Sequence, residues 1–156
     1  MQKSTLDNDF SYRLFGSEKS KLIDSRVCEK FARPLLLMLR AAEAAKKFLV
    51  KENASSVTIF IGKGNNGEDG LCLAALLRIE NIETHVIDLA PKNRPDSQAY
   101  RLCLNLEVNI KKYNNKNIPK TDWYVDAIFG IGLNRNLKGD YLSAVNYLQC
   151  SKSKKI

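Results

Sequence analysis

The chain has 156 residues and a formal charge of +8, from 25 Lys and Arg against 17 Asp and Glu. Hydrophobic residues at 44% and charged residues at 27% exclude global disorder, and this length argues for one domain, residues 1–156. The longest apolar run, Leu71 to Leu77, is far too short to span a bilayer. The first 30 residues carry Asp7, Asp9, Glu18, Asp24 and Glu29, where an export signal would place an apolar stretch. A cytoplasmic, membrane-free protein is expected.

The charge is uneven: +4 over residues 1–50, −2 over 51–100 and +6 over 101–156. The basic groups are mainly scattered lysines such as Lys111, Lys112, Lys116 and Lys120. They are not interleaved with aromatics as a base-stacking platform would be, so a solvated surface is preferred over a nucleic-acid partner. Cys28, Cys72, Cys103 and Cys150 are widely spaced without a CxxC pair, and are read as reduced thiols rather than disulfides or a zinc site.

In chain order, residues 18–32 and 35–50 read as helices, with Pro34 at the start of the second, where its missing N–H costs nothing. Leu37, Met38, Ala41, Ala42, Ala45, Phe48 and Leu49 give that second helix a wide apolar stripe. Residues 57–61 form a β-branched and aromatic run ending at Gly62, the pattern of a buried strand. A helix is predicted from Asp69 to about Ile79, then a strand over 84–89 and a loop from Pro91 to Pro95. Ala99, Leu102, Cys103 and Leu106 follow helical spacing from about Asp96. Residues 108–110 suit a short strand, 111–120 a polar loop and 123–129 a further strand ending at Gly130. Tyr141, Ala144, Val145 and Leu148 repeat the helical spacing. N-terminal helices over 1–50 and a βα core over 56–150 specify an α/β fold: a Rossmann-like parallel sheet with helices on both faces.

Gly62-Lys63-Gly64-Asn65-Asn66-Gly67 fits GxGxxG between a strand and a helix, and Asp88 follows 21 residues after Gly67. That is the context of a dinucleotide-binding turn; a glycine-rich turn that binds nothing is the bland alternative. Glu68 and Asp69 put carboxylates where a phosphate would sit, whereas Asn65 and Asn66 offer amide oxygens that suit a hard monovalent cation or a polar ligand. The second cluster is Asp126 with the stretch from Gly130 to Asn136. Neighbouring strand ends of a parallel sheet bring such loops together. Asp126 interrupts an apolar strand, so its carboxylate is expected to need a partner, structural or functional. His85, the one histidine, is read as a packed or edge-strand residue.

Residues 62–70, Gly-Lys-Gly-Asn-Asn-Gly-Glu-Asp-Gly, together with 125–132, Val-Asp-Ala-Ile-Phe-Gly-Ile-Gly, resemble the YjeF N-terminal domain family of NAD(P)H-hydrate epimerases. Residues 37–45, Leu-Met-Leu-Arg-Ala-Ala-Glu-Ala-Ala, are similar to that family's Leu-Met helix. The resemblance implies an isomerase that interconverts the R and S forms of hydrated NADH or NADPH. It implies substrate contacts from Asn65, Asn66, Gly67, Glu68 and Asp69, and from Gly130, Ile131, Gly132, Leu133, Asn134, Arg135 and Asn136. One potassium ion would be held by Asn66 and Asp126, with Asp126 also the catalytic acid or base. A homodimer, or a dehydratase domain as partner, is implied as well.

Glu68 stands where the family usually has Gly, and Ala42 replaces a frequent Gly. The family's later Asp-Ile-Pro-Ser-Gly segment is not found, so the sheet is expected to lack the family's C-terminal strands and the chain to be catalytically impaired. Two readings compete with the epimerase: a non-catalytic nucleotide- or RNA-binding member of the same fold, and a dinucleotide-binding subunit serving a hydride-transferring partner. Asn65, Asn66 and Asp126 favour the epimerase over the latter.

Overall fold

The structure, a computed structural model, describes residues 34–93, 96–130 and 136–156. Its elements run α1 (Pro34–Lys51), β1 (Ser56–Ile61), α2 (Asn65–Ile79), β2 (Glu83–Asp88), a 3₁₀ turn (Pro91–Asn93), α3 (Gln98–Asn105), β3 (Asn109–Lys112), β4 (Trp123–Ala127), α4 (Gly139–Cys150) and β5 (Lys154–Lys155). The helix predicted over 18–32 lies outside the described residues.

Among the described residues, five strands form one sheet in the order β3-β2-β1-β4-β5, and every pairing is parallel. The expected α/β Rossmann-like class is therefore correct. The order of strand addition reverses at β1, with β2 and β3 on one side and β4 and β5 on the other, and between β1 and β4 a doubly wound fold opens its ligand crevice. β1 is buried from Val57 to Ile61, as its unbroken apolar sequence requires of a central strand covered on both faces. Val57, Ile59, Ile61, Val86 and Val125 pack under α1, α2 and α3. Phe60, Ile87, Tyr124 and Ile128 pack on the opposite face with Ala144 and Leu148 of α4.

Two boundaries move with consequences. The helix predicted from Asp69 begins at Asn65, so Asn65 to Glu68 are its first turn and only residues 62–64 remain as connection. The last residues, for which the sequence assigns no strand, pair with β4: Trp123 opposes Lys154 and Tyr124 opposes Lys155.

Three helices end by one device. Asn53, Asn81 and Glu107 have φ of 54°, 59° and 53°, two residues past the ends of α1, α2 and α3. The following N–H groups of Ala54, Ile82 and Val108 reach back to the carbonyls of Leu49, Leu77 and Cys103 at 2.9–3.0 Å. This is the Schellman arrangement, with its apolar contact across the bond. It turns each helix directly into the next strand.

Candidate functional site

The β1–α2 connection is closed by two glycines at contact distance. A Cβ on Gly62 would lie 2.0 Å from the carbonyl oxygen of Ile128, and one on Gly67 would lie 2.0 Å from that of Gly62. Gly70 lets α2 settle on the sheet, since a Cβ there would meet Ala127 at 2.7 Å and Ile61 at 2.9 Å. Gly64 has open space around it and an ordinary extended backbone. The pattern thus presses the start of α2 against the ends of β1 and β4.

That approach lets Asn66 bridge the crevice. Its Nδ2 donates to the Phe129 carbonyl at 3.0 Å, and a Cβ on Gly130 would lie 3.7 Å from the Asn66 Cβ. The bond fixes the amide so that Nδ2 is engaged and Oδ1 remains an acceptor for a ligand. Asn65 is exposed at the same helix end. Asn136 lines a cavity of about 490 Å³ with Phe129, Leu137, Lys138 and Tyr141.

Asp126 occupies a different wall. Its backbone N–H donates to the Ile156 carbonyl at 2.9 Å, extending the β4–β5 ladder. The side chain falls on the α4 face, where Tyr124, Val145, Leu148, Gln149, Lys155 and Ile156 complete a cavity of about 280 Å³. The sequence predicts a buried carboxylate in need of a partner. The structure gives it the partner, an Ile128 N–H donating to Oδ1 at 3.0 Å, but leaves the side chain exposed. The reason is local: β5 has only two residues and covers little of β4's end. Asn66 and Asp126 are therefore tied to neighbouring residues of one strand exit, Phe129 and Ile128, from two directions.

The other predicted site residues divide. Gly67 is buried in its structural contact, and Gly130 is exposed at the strand exit. Glu68 lies about 200° round the helix from Asn66 and is only 7% exposed. Burial, then the carboxylates of Asp69 and Glu68, push the Cys72 thiol up to about 12. Burial raises Cys103 to about 12 as well, with the Cys72 thiol and the Glu68 carboxylate adding to the rise. Asp69 is half-buried. Ile131, Gly132, Leu133, Asn134 and Arg135 lie outside the described residues.

Asp88, at the fingerprint spacing, is 2% exposed, and its Oδ1 accepts from the Ala90 N–H at 2.8 Å. His85 is held between Glu83, 2.9 Å from Nε2, and Asn109, 3.2 Å from Nδ1. It is the packed strand residue expected. Cys72 and Cys103 are buried free thiols, and Cys150 is an exposed one. No group of three or more His, Cys, Asp or Glu residues is placed to hold a metal among the described residues. No helix there is long and apolar enough to cross a membrane.

Sequence reasoning missed Phe129, whose carbonyl anchors Asn66, because a backbone acceptor leaves no mark on residue type. It also read Tyr141 as helix stripe alone. The ring of Tyr141 lies 5.2 Å from that of Phe129, facing the cavity that Asn136 lines.

A doubly wound parallel sheet whose switch point holds an amide-bridged, glycine-closed helix start defines a Rossmann-like α/β domain. Residues 35–156 match the family described as YjeF-related protein N-terminus, and the chain belongs to that family. It is 30% identical over 145 residues to the NAD(P)H-hydrate epimerase of Lentilactobacillus buchneri, covering 88% of this chain and 66% of that protein. The NAD(P)H-hydrate epimerase of Levilactobacillus brevis is 32% identical, covering 78% and 59%. The bifunctional NAD(P)H-hydrate repair enzyme Nnr of Coxiella burnetii is 33% identical, covering 70% and 24%. The crystal structure of yeast ynu0 superposes with a TM-score of 0.75 at 21% identity, covering 87% of this chain and 64% of that one, which shows the fold. The chain thus spans 59–66% of the length of the first two epimerases.

Proposed function

We propose that this domain, residues 1–156 with its βα core over 56–150, is an NAD(P)H-hydrate epimerase domain that interconverts the R and S hydrates of NADH and NADPH. The observation that carries the reading is the Asn66 bridge to Phe129 beside Gly130, in a family whose similar members bear that name. Inversion at the hydroxyl-bearing carbon consumes and releases no other reagent, so the site has to hold the substrate and move a proton. Asn65, Asn66 and the exit from Gly130 to Asn136 would hold it. Asp126 Oδ2, left open by the Ile128 bond at Oδ1, is the proton-carrying group.

Hard oxygen donors suit potassium, and the Asn66 Oδ1 and the exposed Asp126 carboxylate fit that demand in chemistry. When bound, the ion would supply a fixed positive charge that offsets the carboxylate and orders the substrate's oxygens. The domain would act in the cytoplasm, as a homodimer or beside a dehydratase domain, in keeping with the bifunctional relative.

The test is decay of the purified R hydrate, coupled to an S-specific dehydratase and compared with spontaneous epimerisation. With Asp126 open to solvent, a high local dielectric weakens its electrostatic effect on the substrate, and slow turnover by the 156-residue chain alone is expected. A rate equal to the spontaneous one even at high protein concentration overturns the reading.

A further inference from the structure

β5 contains two residues, both exposed, and is shorter than strands ordinarily are. Three ladder bonds join it to β4. The Lys154 N–H donates to the Asp122 carbonyl at 3.0 Å, the Ile156 N–H to that of Tyr124 at 3.1 Å, and the Asp126 N–H to that of Ile156 at 2.9 Å. The last of these fixes the Asp126 backbone, and Lys155 and Ile156 wall the cavity that Asp126 lines. A strand this short belongs to the low-stability end of a fold, so side-chain contacts decide how much of the time it is docked. Residues paired in a parallel ladder share a face, and successive residues alternate. Lys154, opposite Trp123, is therefore on the α1 face, and Lys155, opposite Tyr124, is on the α4 face. Ser153 fixes the entry to β5, its Oγ donating to the Thr121 carbonyl at 2.8 Å. Lys155 turns back to the Ser151 carbonyl at 2.6 Å, within its own segment. Lys154 reaches other elements: its Nζ lies 5.1 Å from the centre of the Trp123 ring and 3.8 Å from Oε2 of Glu52, just past the end of α1. Trp123 is only 5% exposed and is braced by the Phe48 ring, edge-on at 5.5 Å. The ammonium thus meets a fixed aromatic surface.

We propose that Lys154 is a positioning residue for Asp126. Its contacts with Trp123 and Glu52 keep β5 docked, and docked β5 holds the Asp126 backbone and closes one wall of the cavity beside its carboxylate. The influence crosses the sheet, from a cation on the α1 face to a carboxylate on the α4 face, through the backbone of β5. That Asp126 then moves a proton rests on the epimerase reading; the docking of β5 does not.

Amide hydrogen exchange of the whole chain, followed residue by residue by NMR, tests this without turnover. Lys154→Met keeps an aliphatic stem on the indole and removes the charge. It should speed exchange at the Asp126 and Ile156 amides about fivefold, the worth of one cation–π contact. The amides of Ile59 and Phe60 in β1 should change by less than about twofold, because the core does not open with β5. Lys154→Arg keeps the cation over the ring and should stay within about twofold of wild type. Lys152→Met removes the same charge from an exposed neighbour and should leave all four amides unchanged. In the coupled hydrate assay, Lys154→Met should lower kcat about twofold to fivefold with KM unchanged, following the docked fraction of β5. Unchanged exchange at Asp126 and Ile156, an equal rise in β1, or a rise as large in Lys154→Arg each overturn the proposal. Faster exchange with unchanged kcat overturns the positioning role. The expected exchange pattern in a chain that does not epimerise the hydrate would keep Lys154 as the residue that sets Asp126 and sink the epimerase reading instead.

Discussion

Asp126 and the paired glycines make opposite demands on their surroundings. Asp126 is exposed, its Oδ1 accepts from the Ile128 backbone N–H, and an asparagine preserves that acceptor while removing the charge. Asp126→Asn should therefore fold normally and lose selective stabilisation by potassium over tetramethylammonium in thermal melts. Equal stabilisation of wild type and variant would remove Asp126 from the proposed ion site. Gly62 and Gly67 have no such latitude, since a methyl group would lie 2.0 Å from a backbone oxygen at either position. Gly62→Ala and Gly67→Ala should each cost about 3 kcal/mol or more, because backbone must shift. Gly64→Ser, at an open N-cap, should change stability by no more than about 0.5 kcal/mol. Urea unfolding of the three variants makes the comparison. All three glycines belong to one motif and look alike in sequence. Only packing, of Gly62 on Ile128 some sixty positions away and of Gly67 on Gly62, separates those that the fold requires from the one it does not.

At the scale of elements, the helix endings show where sequence is informative and where it falls silent. Asn53 and Asn81 are of a residue type that tolerates the left-handed backbone, so two of the three Schellman turns carry a local signal. Glu107 at φ 53° carries none. Its conformation is imposed by the bond from Val108 to Cys103 and by the need to enter β3. Glu107→Gly should stabilise the protein by about 1 kcal/mol, the approximate cost of that backbone for a residue with a Cβ. A chemical denaturation midpoint that falls would show that the Glu107 side chain contributes more than its strain costs. The same contrast explains the boundaries. Strand positions were legible because β1 and β4 are largely apolar and a glycine follows each within three residues. The start of α2 was not, because Asn65, Asn66 and Gly67 are poor helix formers, held in the helix by contact with the β1 and β4 exits. The site residues on that turn were legible as motif; that Asn66 turns to Phe129 while Glu68 is buried required the helix.

For the molecule as a whole, the perturbed groups define a stability profile with two limbs. Burial pushes the thiols of Cys72 and Cys103 up to about 12. Burial and the Tyr124 hydroxyl do the same for Tyr147. Ion pairing with Glu80 and Glu43 raises Lys46. Each of these groups binds its proton more tightly folded than unfolded, so the unfolded chain releases protons first and stability falls as pH rises. For the thiols that window opens near 9 and closes near 12. On the acid side, hydrogen bonds from the Ser55 side chain and backbone hold Asp122 below the usual carboxylate range, joining the start of β1 to the start of β4. Pairing with Arg101 does so for Asp96. Their contribution is complete above the ordinary carboxylate range and is lost as pH falls through their lowered values. Melting temperature should therefore hold a plateau from about pH 5 to 9 and decline on both sides. Replacing both buried cysteines by alanine should lower the plateau by cavity formation and flatten the alkaline limb; Asp122→Asn should flatten only the acid one. Alkaline limbs of equal slope in wild type and double variant would mean that the thiols do not govern it, and that Tyr147 and Lys46 carry the transition.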